Sequence, residues 1–368
     1  MAFKNNESGF SFGQFSFGQY PGLSQDSNKD VTEDKVEDPS MGASVTSKDG
    51  KEETKLFRTS KCTVSKGEKR ENLLFGGLMS TTFQSPWRNI TWSQQAKEAL
   101  MDMVRSFKPS VKSVSEARVL LLGPVGAGKS SFISSVQSVF SGRVLNRAMV
   151  GSSTFTSFTK KLQSFNIRYS REAATSSSGL VLCDVMGIGD GDITGLTLHD
   201  VQCIIKGHVP DGHRFNPEEP IGSETAGFIK KPSLKEQIHC VVFVIDASKL
   251  NSYPKGVSRA FQQLRDLIST LGVHQVALLT HVDEVCKETA QDVTQVYKSQ
   301  IVQQLMVKAG ALLGMAMSYI VPVKNYSSQL DLDEHTDILL LKAVDHILQY
   351  AGLYFQDNAE QNKFNLGL

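Results

Sequence analysis

The sequence predicts an α/β fold built on a doubly wound, mostly parallel sheet. A buried apolar run at residues 119–122 leads directly into a glycine-rich loop with the spacing of a phosphate-binding motif. A second apolar run, residues 179–185, carries the acidic residue Asp184 near its end. Short apolar runs and amphipathic segments then alternate along the chain, which is typical of parallel strands joined by helices. Together these observations indicate a sheet of the P-loop GTPase type.

The composition of the chain changes near residue 70. The first 70 residues are polar and of low complexity, and we expect a disordered tail, with a weak-interaction role for its Phe-Gly-containing stretch 9–22 as the alternative. Residues 71–116 are predicted to form a helical collar that leads into the nucleotide domain. Residues 117–355 are predicted to form a P-loop GTPase-like domain, and residues 356–368 a flexible C-terminus.

The charges of the 368-residue chain are balanced, with 39 Lys and Arg against 38 Asp and Glu and a net charge of +1. This balance gives no electrostatic argument for nucleic acid or for an anionic membrane surface. No apolar run approaches the roughly 18 residues that span a bilayer. The five cysteines form no C-x-x-C pair, which fits a reducing compartment. We therefore expect a cytoplasmic protein that binds no nucleic acid and has no stable membrane insertion.

The collar is predicted to contain an amphipathic helix from Ser93 to Phe107, because its apolar residues recur at helical spacing. Thr91 or Ser93 is expected to cap this helix. Both tryptophans of the chain, Trp87 and Trp92, lie just ahead of the helix. We expect them to pack the collar against the main domain, with a ligand role as the alternative.

The glycine-rich loop has the pattern Gly123-x4-Gly128-Lys129-Ser130. Glycines at such positions let backbone amides converge on anionic oxygens, because a Cβ would block the turn or the close approach. Lys129 is expected to supply a positive charge for the β- and γ-phosphates, and the helix that follows adds its dipole. A glycine-rich turn that binds nothing is the alternative. The predicted phosphate contacts are Gly123, Val125, Gly126, Ala127, Gly128, Lys129, Ser130 and Ser131.

The second buried strand ends in the pattern Asp184-x-x-Gly187. An acidic residue at the carboxyl end of a parallel strand is where P-loop folds hold the water shell of magnesium. The amide of the glycine that follows is where such folds contact the γ-phosphate. Asp184 and Gly187 are therefore predicted to bind the magnesium and triphosphate end of the nucleotide.

One hydroxyl between the P-loop helix and the second strand is expected to reach the metal. Thr154, Thr156 and Thr159 are candidates that the sequence does not separate. With Thr156 taken from this group, the predicted metal ligands are Ser130, Thr156 and Asp184.

Hydrolysis is predicted to be slow. Ras-like GTPases place a Gln directly after the D-x-x-G glycine, where it orients the attacking water, whereas this chain has Ile188. An apolar side chain cannot polarise water, so no catalytic residue is assigned. Completion of the site by a second subunit is the alternative.

The base is predicted to be guanine. Thr280-His281-Val282-Asp283 follows an apolar strand, where P-loop GTPases have Asn or Thr, then Lys, and an Asp that accepts from the N1–H and N2–H of guanine. Thr280, His281 and Asp283 are therefore assigned to nucleotide binding, with His281 in place of the usual Lys. A solvated Asp that opens a loop is the alternative. A further guanine element, expected at residues 323–326, has no sharp signature.

The remaining elements follow from apolar periodicity. A polar stretch from residue 188 to 234 is predicted to be mostly loop, with a short helix near residues 198–206. The other predicted strands are residues 162–169, 238–245, 275–280 and 319–324, and the other predicted helices are residues 131–140, 258–271, 289–313 and 335–354.

Several stretches in combination resemble the interferon-induced protein 44 and 44-like family. The resemblance covers about residues 80 to 355, and it implies a cytoplasmic, interferon-inducible GTP-binding protein of antiviral innate immunity. Longer family members carry an N-terminal domain related to the TLDc module, where this chain has its Phe-Gly-containing tail. The stretches are residues 85–90 (Ser-Pro-Trp-Arg-Asn-Ile), 122–132 (Leu-Gly-Pro-Val-Gly-Ala-Gly-Lys-Ser-Ser-Phe), 156–160 (Thr-Ser-Phe-Thr-Lys), 183–187 (Cys-Asp-Val-Met-Gly) and 279–283 (Leu-Thr-His-Val-Asp).

These observations lead to one functional hypothesis and two alternatives. GTP with Mg²⁺ is expected to order the loops at residues 154–159 and 187–192, and the ordered loops would bind a protein partner or a second copy of the chain. The first alternative is a GTPase activated by dimerisation. The second is an interaction protein with a vestigial nucleotide pocket.

Overall fold

The computed structural model describes residues 81–145, 159–171, 174–189, 195–216 and 218–365. All of them lie in one compact unit, Phe75–Leu368. The predicted N-terminal tail, residues 1–70, lies outside the described residues, as do Thr154 and Thr156.

The described residues form a six-stranded sheet in the order β2-β3-β1-β4-β5-β6. Neighbouring strands are parallel except for β2, which pairs antiparallel with β3. Because the chain moves outward from β1 in both directions, the prediction of a doubly wound, mostly parallel sheet is confirmed. The strands are β1 (Ala117–Leu122), β2 (Gln163–Arg171), β3 (Ala174–Asp184), β4 (Cys240–Asp246), β5 (His274–Thr280) and β6 (Ile320–Pro322).

Helices flank the sheet, and no helix in the described part of the chain is both long and apolar enough to span a bilayer. Two 3₁₀ turns, Val293–Gln295 and Met317–Tyr319, complete the elements. The helices are α1 (Gln94–Ser106), α2 (Lys129–Ser141), α3 (Leu198–Ile205), α4 (Lys255–Thr270), α5 (Val282–Val285), α6 (Lys287–Gln291), α7 (Gln300–Leu313) and α8 (Glu334–Asn365).

Two helix predictions need correction. The helix predicted at residues 289–313 is wrong, because polar caps divide it: Asp292 accepts from the amide of Thr294, and Ser299 accepts from the amide of Val302 at 3.2 Å to begin α7. The last helix does not end at Tyr354 but continues to Asn365. It therefore includes ten of the residues that were assigned to a flexible C-terminus.

The core is centred on the middle strands. Every residue of β4 is buried, and the side chains of β1 and β5 are buried almost throughout. Strands covered on both faces read as continuous apolar runs, which is why these three were recognisable in the sequence. The carboxyl ends of these parallel strands meet at one edge of the sheet, where the glycine-rich loop also lies.

The collar packs against the main domain as predicted. Ser93 caps α1 by accepting from the amide of Ala96 at 3.2 Å. Trp87 lies edge-on to Tyr297 with ring centroids 5.0 Å apart, and Trp92 is also partly buried against the core. The tryptophans therefore have a packing role.

A substitution at Gly179 in β3 can test how closely the collar packs against the sheet. A Cβ on this residue would lie 2.5 Å from the carbonyl oxygen of Phe107, at the end of α1. We expect Gly179→Ala to lower the free energy of unfolding by about 1–3 kcal/mol, as overpacking of a core does. Urea denaturation measures this change.

Gly222→Ala is the matched control, because a Cβ there has no atom within 4 Å. We expect its free energy of unfolding to stay within about 0.5 kcal/mol of wild type. Equal stability of the two variants would show that the collar does not approach β3 so closely.

Candidate functional site

The loop between β1 and α2 has the backbone that its glycines permit. Gly126 and Gly128 have φ values of 75° and 89°, in the left-handed region that favours glycine. A Cβ on Gly123 would lie 2.2 Å from the carbonyl oxygen of Val244 in β4. The loop therefore folds tightly over the strand ends, with no side chain between its backbone and β4 at that point.

Lys129 points into the loop. Its ammonium donates to the carbonyl oxygens of Gly123 at 2.8 Å and Pro124 at 2.9 Å, and only 7% of the residue is exposed. Burial lowers the pKa of Lys129 to about 8, and the nearby charge of Asp184 acts in the opposite direction. A buried cation thus lies at the centre of the glycine-rich loop.

Asp184 lies opposite this cation and contacts two hydroxyls. Ser130 Oγ donates to its Oδ2 at 2.5 Å, and Thr159 Oγ1 donates to the same oxygen at 3.2 Å. Burial raises the pKa of Asp184, although the Lys129 charge and hydrogen bonds, including one from the Val185 amide, oppose the rise. The other oxygen, Oδ1, is buried without a hydrogen-bond partner in the described part of the chain.

Of the three threonine candidates for the metal, only Thr159 is described, and it reaches the site. Its hydroxyl lies 3.4 Å from Ser130 Oγ as well as within hydrogen-bond distance of Asp184. The structure therefore brings together Ser130, Asp184 and Thr159. Thr156, which was taken for the metal set, lies outside the described residues.

The segment after Asp184 lies directly on the glycine-rich loop. A Cβ on Gly187 would lie 2.7 Å from the backbone nitrogen of Val125. The amide of Ile188 donates to the carbonyl oxygen of Gly123 at 3.0 Å, and the Ile188 side chain is buried. The residue in the Gln position of Ras-like GTPases is thus turned into the core.

The end of β5 is tied to the same loop. Thr280 Oγ1 lies 2.8 Å from the carbonyl oxygen of Ala127, so its hydroxyl can donate there. His281 has a φ of 56°, and its Cε1 is 3.5 Å from the position of a Cβ on Gly128. Asp283 is half-buried in the first turn of α5 and has no hydrogen-bond or ion-pair partner within the described ranges. Thr280 and His281 therefore contact the loop, and Asp283 adjoins them in sequence.

Three residues that were not assigned to the site also lie at this edge. Asn325 Nδ2 donates to the carbonyl oxygen of Gly128 at 3.3 Å. Asp246, at the end of β4, pairs with Lys249, whose Nζ is 3.6 Å from the Cβ position of Gly126. Asn325 lies in the stretch 323–326, where a further guanine element was expected without a sharp signature. Asp246 and Lys249 had no sequence signal beyond their place at and just after the end of β4.

The buried Lys129 charge predicts a pH dependence of stability. The folded pKa of about 8 lies below the reference value of 10.5, so the unfolded chain binds more protons between these values. Below pH 8 the buried charge of Lys129 therefore lowers the free energy of unfolding by its full amount. As the pH rises above 8, the free energy of unfolding increases by at most about 1.4 kcal/mol per pH unit.

We compare the free energy of unfolding of wild type with that of Lys129→Met. We expect the difference to change between pH 8 and 10.5 and to be constant between pH 7 and 8. Urea denaturation of the nucleotide-free proteins at several pH values measures it. Lys112→Met, which removes an exposed lysine ahead of β1, is the matched control. A difference for Lys129→Met that does not change with pH would contradict the burial of a charged lysine.

No family model matches the chain. The chain is 37% identical over 272 residues to interferon-induced protein 44-like of Homo sapiens, covering 73% of this chain and 59% of that protein. It is 36% identical over 270 residues to interferon-induced protein 44 of Pan troglodytes, covering 73% and 60%. The corresponding protein of Mus musculus is 36% identical over 260 residues, covering 70% and 60%. The chain thus spans about 60% of the length of the curated relatives it matches.

Two solved structures show remote similarity. An Era variant of Aquifex aeolicus bound to GDP·AlF4⁻ has a TM-score of 0.34 and 15% identity, covering 63% of this chain and 56% of that one. A probable GTP-binding protein engB has a TM-score of 0.33 and 12% identity, covering 64% and 98%. The sequence identities to the curated relatives confirm the resemblance found from the motifs. The matched region of the chain belongs to the interferon-induced protein 44 and 44-like family.

Proposed function

We propose that this chain binds GTP together with Mg²⁺ and that the bound nucleotide controls a protein-interaction surface. The observation that carries the proposal is a buried ammonium and a buried carboxylate that interact electrostatically at a glycine-rich loop. Both groups are charged in their ordinary states, and burial disfavours both charges. A ligand with phosphate oxygens and a hydrated cation would compensate both.

The residues present fit such a ligand. Lys129 already donates to two carbonyl oxygens and, as an ammonium, has a third proton to donate to a phosphate oxygen. In the proposed complex, Ser130 Oγ would ligate Mg²⁺ instead of donating to Asp184. Asp184 Oδ1, which lacks a partner within the described ranges, would accept from the water shell of the ion. The metal when bound would neutralise phosphate charge, and Thr159, whose hydroxyl contacts Asp184, would be a further candidate to hold it.

The end of β5 supports guanine as the base. Thr280 connects this strand to the loop through Ala127, so a base-binding segment that begins there is fixed relative to the phosphates. Asp283 follows in the first turn of α5, is half-buried, and has no hydrogen-bond or ion-pair partner within the described ranges. A carboxylate can accept from two adjacent N–H groups of guanine, whereas adenine offers no such pair.

The proposed site binds the nucleotide and turns it over slowly. Ile188 is buried and apolar, so it cannot orient a water molecule for attack on the γ-phosphate. A rate of phosphate release per protein molecule that rises with protein concentration would instead favour a GTPase completed by a second subunit. Absence of any thermal shift with GTP, GDP or ATP in the presence of Mg²⁺ would favour a vestigial pocket.

The biological setting is proposed from the relatives. The matched proteins are named interferon-induced. We propose that this chain is likewise interferon-inducible and acts in the antiviral innate response in the cytoplasm. The interaction surface would be formed by the loops at residues 154–159 and 187–192, which would bind a partner protein or a second copy of the chain.

Lys129→Ala is expected to abolish measurable GTP binding while the domain stays folded, because the ammonium faces the ligand site. Titration of fluorescent GTP, with and without Mg²⁺, measures the affinity. For wild type, GTP at 100 times its dissociation constant should stabilise the fold by about 2.7 kcal/mol, and the variant should lose this effect. Lys112→Ala is the control, and retained GTP affinity in Lys129→Ala would contradict the proposal.

Asp283→Asn is expected to weaken GTP at least about tenfold more than ATP, because one charged acceptor for guanine is lost. Competition of each nucleotide against a fluorescent analogue gives the two affinities. Glu284→Gln makes the same chemical change on the next, exposed residue and should leave both affinities unaltered. Equal loss of GTP and ATP in Asp283→Asn would show that this carboxylate does not read the base.

A further inference from the structure

Asp246, at the carboxyl end of β4, joins two basic side chains at the glycine-rich loop. Only 2% of the residue is exposed. Its Oδ2 pairs with Lys249 Nζ at 2.9 Å, and its Oδ1 lies 3.4 Å from His281 Nδ1. Ser248 donates to Oδ1 from both its amide, at 2.9 Å, and its hydroxyl, at 2.6 Å. The carboxylate is therefore fixed, and it holds both basic groups in place.

The carboxylate of Asp246 is held in its charged form. Burial would raise its pKa, but hydrogen bonds from Lys249 and Ser248 and the neighbouring His281 outweigh this, and the pKa lies below its ordinary value. A charged, buried partner restrains a lysine more strongly than an exposed one, because solvent screens the pair less. Lys249 is thus not a freely moving surface side chain.

The position of Lys249 relates it to a ligand on the loop. Its Nζ lies 3.6 Å from the Cβ position of Gly126, the middle glycine of the loop. Its side chain is 48% exposed, so the ammonium can contact a molecule entering from solvent. Of its three protons, one is directed to Asp246, and the others are available to an anion.

Residue 281 differs from its counterpart in P-loop GTPases in a way that changes the charge at this edge. P-loop GTPases have a lysine where this chain has His281. The His281 Nδ1 lies 3.0 Å from Thr280 Oγ1 and also faces Asp246, so this nitrogen is used within the protein. The permanent charge of a lysine is therefore missing from that position, and Lys249 brings one to the same edge from β4.

We propose that Lys249 is a nucleotide-binding residue that donates to the phosphate chain, positioned by Asp246. The inference rests on the proposed function, since it concerns the same site. It adds a phosphate contact from the segment after β4, outside the glycine-rich loop. Because Gly126 has no side chain, no atom beyond the backbone of this residue lies between the Lys249 ammonium and the loop at that point.

The test compares three lysine variants in the full chain. Lys249→Met removes the charge at nearly constant size, Lys249→Arg keeps it, and Lys112→Met removes an exposed lysine ahead of β1. Affinities for fluorescent GTP and GDP with Mg²⁺ are measured at one fixed ionic strength, because phosphate contacts depend on salt. Circular dichroism and the urea midpoint establish that each variant is folded.

We expect Lys249→Met to bind both nucleotides about tenfold more weakly, the loss typical of one hydrogen bond to a charged group. Lys249→Arg should stay within about threefold of wild type, and Lys112→Met should match it. If wild type binds nucleotide and Lys249→Met binds it with the same affinity, this inference is overturned while the proposed function stands. Loss in Lys249→Arg equal to that in Lys249→Met would also overturn it, because charge would then not be the cause. No nucleotide binding by wild type would remove the proposed function and this inference together.

Discussion

The opposition of Lys129 and Asp184 is the constraint on which the rest of this edge depends. Each buried charge costs several kcal/mol unless it is paired and hydrogen-bonded. The fold supplies carbonyl oxygens to the ammonium and hydroxyls to the carboxylate, but one carboxylate oxygen is left without a partner in the described part of the chain. The sheet provides the stability for this arrangement, because β1 and β3 pair directly, with Leu120 opposite Cys183.

The order of the strands explains why so many polar groups meet here. β1 lies between β3 and β4, so the chain leaves it in two directions, and a crevice forms at such a switch point. Glycines close the remaining distance: Gly123 touches the backbone of β4, and Gly187 touches Val125. Side chains at these two positions would separate the strand ends. The convergence therefore depends on missing Cβ atoms as much as on the charged residues.

The sequence could predict the residues that belong to motifs with a fixed spacing from the end of an apolar strand. Lys129, Asp184 and Thr280 belong to recognisable patterns, and the structure places them at one sheet edge. Lys249 could not be predicted, because its approach depends on how the chain turns after β4, and no fixed spacing encodes it. For Asn325 the sequence indicated only the stretch 323–326, without a signature that selects the residue. Alternation identified β2 as a strand but could not give its antiparallel direction. The predicted helix at 289–313 failed because local capping by side chains competes with apolar periodicity.

The close approach of Gly187 to Val125 is the contact on which the proposed switch would act. A Cβ on Gly187 would lie 2.7 Å from the Val125 nitrogen, so only a glycine lets these two backbone segments approach so closely. The Ile188 amide fixes the segment further through its bond to Gly123. Under the proposed function, a triphosphate whose γ-phosphate contacts both segments would favour one spacing between them, and a ligand lacking the γ-phosphate would not. A nucleotide can shift the segment after Asp184 only if it binds one arrangement of that segment more tightly than another.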